Sequence, residues 1–149
     1  MAEHSDQRFV TDELQHELQD LLCLAVVGDH VRWVLIDDGQ PELAEWLIDA
    51  TAAWRAWADQ LAKHLVRLGV APDGRVRSLA KDIPSNWVPD GWLSLDEARQ
   101  LVADRLRRLA EWARVRHSQA TEPESARLLG VISTGLKTQV ANLPTGEMP

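Results

Sequence analysis

Tyrosine is absent from the 149 residues, and phenylalanine and cysteine each occur once. There is no glycine-rich phosphate loop, no CxxC pair and no nucleophile elbow, so the common signatures of nucleotide, zinc-ribbon and serine-hydrolase chemistry are missing. A lone Cys23 excludes an intrachain disulfide and gives no sign of an oxidising compartment. It stands in the apolar run LLCLAVV, where a buried, inert thiol is expected. That run is too short to span a bilayer and has Asp20 and Asp29 on its flanks. The opening MAEHSDQRFVTDE lacks the basic start and apolar stretch of a signal peptide, so a cytoplasmic protein is expected. Basic charge is also short: 16 Lys and Arg face 23 Asp and Glu, a net charge of -7. DNA binding is therefore not expected, because phosphate neutralisation needs clustered bases, and the ends MAEHSDQ and LPTGEMP have none. Six arginines do lie between Arg99 and Arg116. Asp96, Glu97, Asp104 and Glu111 accompany them, and the segment reads as a solvated, salt-bridged face.

What is present is helical periodicity. Thr11, followed by Asp12 and Glu13, is a plausible N-cap for a first helix running to about Ile36, with Leu14, Leu18, Leu21, Leu22, Ala25, Val26 and Trp33 as its apolar positions. The turn DDGQP closes it, with Gly39 as a left-handed cap and Pro41 opening the next helix. From about Pro41 to Leu68 the residues Leu43, Leu47, Ala50, Trp54, Trp57, Leu61, Leu65 and Leu68 form one seam in steps of three and four. Gly69 stops it. The connection VAPDGRVRSLAKDIPSNWVPDGW then holds three Pro and two Gly in 23 residues, with room for one short helix at VRSLAKD. A capping box, Ser94 to Glu97, opens a third long helix to about His117, carrying Leu95, Ala98, Val102, Leu106, Leu109 and Ala113 inward. Pro123 begins the last, striped by Leu129, Ile132, Leu136, Val140 and Leu143. No alternating β pattern and no repeat occurs. The expectation is an all-α four-helix bundle over residues 11–143, with a flexible tail at 1–10 and another at 144–149, and a crossover in the long connection.

Few residues carry recognisable chemistry. The histidines His4, His16, His30, His64 and His117 are scattered and form no HExxH. Glu13 and His16 make one ExxH, the spacing that di-iron bundles need on two helices; a single copy near a helix start reads as surface. Seven Trp are unusual. Trp46, Trp54 and Trp57 share the second helix, Trp33 and Trp112 sit in the helices on either side of it, and Trp87 and Trp92 lie in the long connection. Core or subunit-interface packing explains such a set; a flat ligand held between indoles, with Trp33, Trp46, Trp54 and Trp57 foremost, is the sharper alternative.

The layout resembles the Dps family, the mini-ferritins of the ferritin-like superfamily. The matching pieces are the Trp33 region, DQLAKHLVRLGVAPDG, VRSLAKDIPSNWVPDGW and ESARLLGVISTGLKTQVANL. The resemblance implies a ferritin-like four-helix bundle with a short helix between helices 2 and 3, and a homo-oligomer, dodecameric in that family, that oxidises and stores iron. It also implies an iron centre between two subunits, built from a His before a Trp, a His and an Asp on the second helix, and an Asp and a Glu near that helix's end. Anchored on RLGVAP, those ligand places fall on Arg32, Ala44, Ile48, Asp59 and Lys63, so one ligand of five is kept. His30 and Asp49 are near misses, each off by a register shift that turns a helical side chain by about 100° per residue. Asp59 itself lies one turn from Arg55 and from Lys63 and reads as the middle of a charge ladder. The resemblance thus implies a Dps-like subunit with an iron or stress-protection role and a ferroxidase centre largely degenerate. Two other readings stand beside it: a Trp-rich binding module for a small aromatic ligand or partner protein, and an active ferroxidase with displaced ligands such as His30, Glu45 and Asp49.

Overall fold

The computed structural model describes residues 2–36, 39, 41–81, 83 and 87–145, with side chains from Arg8 onward. Its helices are α1 (Ala2–Val34), α2 (Glu42–Arg67), α3 (Val76–Ala80), α4 (Leu95–Gln119) and α5 (Pro123–Asn142). The four long ones form the all-α, ferritin-like bundle, and the short α3 stands in the connection between the second and third of them.

Most helix ends follow their local chemistry. Ser94 caps α4 by accepting from the Glu97 amide at 3.2 Å, while the Ser94 amide donates back to Glu97 Oε1 at 3.4 Å. Pro123 sits at the first position of α5, where its missing amide costs nothing. Gly69 takes φ +81, the left-handed turn that ends α2, and the Val70 amide donates to Leu65 O at 2.9 Å. The start of α1 differs from expectation. The helix begins at Ala2, so residues 2–10, expected as a tail, continue it. Thr11 is not its cap: its hydroxyl donates to the Arg8 carbonyl at 3.0 Å, the back-bond that threonine makes inside a helix. Of the DDGQP turn only Gly39, with φ +84, and Pro41 are described, and of the expected C-terminal tail only Pro144 and Thr145.

α1 packs chiefly on α2, and α4 on α5. The two hairpins are joined by a parallel bridge between Leu35 and Leu93: the Ile36 amide donates to Leu93 O at 2.9 Å and the Leu93 amide to Val34 O at 3.0 Å. The end of α1 therefore lies beside the start of α4. The chain leaves α2 at the other end of the bundle, so the connection must travel back along its length. It runs against α1 as it goes. Gln15 and Gln19 donate to the Asp73 carbonyl at 2.6 and 3.2 Å, and the Cys23 thiol donates to Leu79 O at 3.6 Å.

The core is formed by the predicted seams of α2, α4 and α5, with Leu47, Trp54, Leu61, Leu106 and Leu136 fully enclosed. On α1 the stripe is wider than the sequence suggested. Leu14, Leu18, Leu21 and Ala25 are buried, but so are Leu24, Val27 and Val31, while Val26 and Trp33 face outward. A helix that touches two neighbours buries more than one narrow face, and a 3.6-residue period drifts over so long an element. Close approach of α1 and α2 is set at Gly28, where a Cβ would stand 2.6 Å from Thr51 Cγ2 and 2.9 Å from Trp54 Cζ3. Among the described residues no helix is long and apolar enough to cross a membrane.

Candidate metal centre

The five places implied for an intersubunit iron centre lie on the end of α1 and along α2. Asp59 Oδ2 meets Lys63 Nζ at 2.8 Å, both side chains being about two-thirds exposed at 61% and 67%. The other half of the expected ladder is absent. Arg55 turns away from Asp59 and donates to Asp29 Oδ2 at 2.7 Å, and Arg32 donates to Asp29 Oδ1 at 3.3 Å. Asp29 is one residue beyond Gly28, where α1 and α2 come closest, so it draws bases from both helices. Burial opposes its ionisation, but the hydrogen bonds from Arg55 and Arg32 hold its carboxyl below the usual carboxylate range. Ala44 is half-buried and Ile48 exposed. His30 lines a groove with Trp33 and Asp29, and Asp49 is exposed. Among the described residues no three His, Cys, Asp or Glu side chains gather as a metal site requires.

The four singled-out tryptophans divide. Trp54 is fully enclosed, donates its indole N–H to Gln139 Oε1 at 2.7 Å, and meets Trp46 edge-on with ring centres 6.3 Å apart. Trp57 lies on α5 so closely that a Cβ on Gly135 would stand 2.4 Å from its ring. These three tie α2 to the bundle. Trp33 alone of the four is 65% exposed, above Arg32 and beside a groove of about 560 Å³ whose walls include Val26, Val76, Trp87 and Val88.

A charge cluster inside the bundle was not anticipated. Arg116, expected on a solvated face, is buried and donates to Glu13 Oε2 at 3.2 Å, Glu17 Oε2 at 2.6 Å and Asp20 Oδ2 at 2.7 Å. Glu13, read as surface in its ExxH, is therefore part-buried and paired, whereas His16 is exposed. Glu17 is wholly enclosed, and its Oε1 has no partner among the described residues. Burial pushes its carboxyl up to about 7, against the lowering effect of Arg116. The signal was legible: Glu13, Glu17 and Asp20 at steps of four and three place three acids on one face of α1. Cys23 is half-buried rather than buried, and burial, followed by the charge of Asp20, pushes its thiol up to about 11, which keeps it in the inert thiol form expected.

A second polar group joins the lower ends of α2 and α5. His64 Nε2 lies 3.1 Å from Glu122 Oε2 and 3.0 Å from Ser125 Oγ, and Glu122 accepts the amides of Glu124 and Ser125 at 3.1 and 2.7 Å. The order Ser, His, Glu resembles a nucleophilic relay, but Ser125 is fully buried and its hydroxyl donates to Glu122 rather than to the imidazole. The group is a helix cap. Burial resists the Glu122 charge, and the Ser125 and Glu124 hydrogen bonds outweigh it, holding the carboxyl down to about 2.

The arrangement agrees with known proteins. The family model described as ferritin-like domain matches residues 11–123. No curated protein matches the chain by sequence. Among solved structures, a Dps protein of Deinococcus radiodurans superposes with a TM-score of 0.86 at 20% identity, over 93% of this chain and 86% of that one. Dps from Microbacterium arborescens, solved in a high iron form, gives 0.84 at 18% identity, over 93% and 91%. A Dps protein from Bacillus brevis gives 0.82 at 21% identity, over 93% and 95%. With the bundle, the crossover helix and the family match in agreement, the chain belongs to the ferritin-like family and has the subunit fold of the Dps proteins.

Proposed function

We propose that this protein is the subunit of a Dps-like homo-oligomeric shell, dodecameric by analogy, with an iron or stress-protection role and a largely degenerate intersubunit ferroxidase centre. The observation that carries the reading is the Asp59–Lys63 ion pair at 2.8 Å. The one kept carboxylate is already neutralised by an ammonium in the place where the family has a carboxylate. Ferrous iron as substrate needs carboxylate and imidazole donors. Arg32, Ala44, Ile48 and Lys63 supply none, and at an effective dielectric of about 20 each nearby base repels a dication by several kcal/mol. These residues do not fit the ion. The exposed Val26, Trp33 and Val76 around their groove support a covering second copy, as an apolar surface of this kind is seldom left to water. The net charge of -7 gives DNA phosphates little to hold, so tight binding to it is not part of the reading.

Two measurements test the proposal. Native mass should give an assembly larger than a monomer, and ferrous iron should be oxidised no faster than in buffer at neutral pH. Restoring the set together, as Arg32→His, Ala44→His, Ile48→Asp and Lys63→Glu, should create measurable oxidation. Rapid oxidation by the unaltered protein, lost on Asp59→Ala, refutes the degenerate centre. Rapid oxidation lost instead on changing His30 or Asp49 establishes displaced ligands.

A further inference from the structure

A second cavity, about 360 Å³, lies between α1, the crossover and α4. None of Arg32, Ala44, Ile48, Asp59 and Lys63 lines it, so it is separate from the candidate metal positions. Its size falls within the range of small-molecule sites.

Its walls are aromatic and cationic. Trp87 and Trp112 contribute indoles, and Arg105, Arg108 and Arg116 contribute guanidinium groups. Asp20 is the one carboxylate among the described lining residues, and it is taken by Arg116 at 2.7 Å. Arg116 is thereby neutralised. Arg105 and Arg108 are not: among the described residues neither has a carboxylate within ion-pair distance. Arg105 lies over the Trp87 ring, its guanidinium carbon 3.5 Å from the ring centre, and donates to the Trp87 carbonyl. Its Nε is shut off from water and has no acceptor among the described residues. Burial first, and the charge of Arg108 second, push the Arg105 guanidinium down to about 10. Two guanidiniums without a carboxylate partner among the described residues, Arg105 part-buried and Arg108 exposed, thus stand together on an indole-walled cavity, where an anion would meet both.

We infer that this cavity binds a small planar aromatic carboxylate of one or two fused rings, its carboxylate on Arg105 and Arg108 and its ring against the indoles. A guanidinium receives a carboxylate through two parallel N–H groups. The two indoles select a flat ring over a bare inorganic anion, and the two cations select a carboxylate over a neutral ring.

Isothermal titration of the full-length protein with 2-naphthoate and with neutral 2-naphthamide, at about 0.15 M salt, tests this. The carboxylate should bind about tenfold or more tightly than the amide, as a charge-assisted hydrogen bond to arginine implies. Arg108→Gln, at an exposed position on α4 that leaves the fold intact by circular dichroism, should lower naphthoate affinity about tenfold and amide affinity little. Arg114→Gln, on the same helix but paired to Glu111 at 2.6 Å, should change neither. Absence of naphthoate binding up to about 1 mM, a weak-affinity limit, overturns the inference. So does equal affinity for acid and amide, or an Arg114→Gln loss as large as that of Arg108→Gln, which would show attraction by general charge.

Discussion

Replacing Arg116 by Met leaves Glu17 enclosed with nothing to meet its charge, while Glu13 and Asp20 stay close by. Breaking a buried pair from one side costs about 3–5 kcal/mol. The size should depend on pH, because Glu17 titrates near neutrality. In the native protein its carboxyl stands at about 7 against an ordinary 4.5. The folded-state value is raised, so the contribution to stability is full below about 4.5 and is lost as pH rises through about 7. The difference of about 2.5 units corresponds to about 3 kcal/mol. Without the guanidinium the carboxyl rises further, and the decline continues above pH 7. Thermal unfolding followed by circular dichroism, at one protein concentration and from about pH 5 to 8.5, compares the two proteins across that titration. Arg116→Met should melt about 6–20 °C lower than the native protein at about pH 8, since 1 kcal/mol is worth about 2–4 °C at this size. The gap should narrow at about pH 5, where Glu17 is neutral in both. Adding Glu17→Gln should recover much of the loss and flatten the pH dependence. A gap that is the same at both ends of the range, or a double variant no better than the single one, would refute the argument.

Gly28→Ala should destabilise by about 1–3 kcal/mol despite alanine's better helix propensity, because the new methyl meets Thr51 and Trp54 at 2.6 and 2.9 Å. A denaturant titration should show a lower midpoint at unchanged slope, and a rise would mean α1 and α2 separate freely. Glu122, with its carboxyl lowered to about 2, contributes stability that is present above about 4.5 and lost as pH falls toward 2. Glu122→Gln should therefore lower stability at pH 7 and remove part of the acid sensitivity. An acid unfolding curve parallel to that of the native protein would sink that assignment.

The bundle was legible because its signals are local. The α2 seam, the Ser94 capping box and the Gly69 stop are read within one or two turns, and each is found in place. The start of α1 was missed because Thr11 looks the same as a cap and as a mid-helix back-bonding residue; the surrounding helix decides, not the residue. Partners across helices were harder. Arg55 stands one turn from Asp59 in sequence, yet Asp29 on α1 offers a less exposed carboxylate at 2.7 Å and takes it. The three acids share one face of α1 in the sequence, but Arg116 looked like one more surface base on an arginine-rich helix, because only the packing of α1 on α4 sets it opposite them. The same holds for the cavity at Arg105 and Trp87, whose residues are 18 positions apart.

The parallel bridge at Leu35 and Leu93 has a kinetic meaning. Each hairpin, α1 with α2 and α4 with α5, closes through contacts between neighbours in sequence and can form early. The bridge joins residues 58 positions apart, after the chain has retraced the length of the bundle, and its loop must be closed before it returns anything. A contact of that separation is expected to form late, as the two hairpins dock. Such late contacts set how slowly the finished bundle comes apart more than how fast it is made. Two backbone hydrogen bonds at one end of the molecule thus act as a latch on the lifetime of the native subunit.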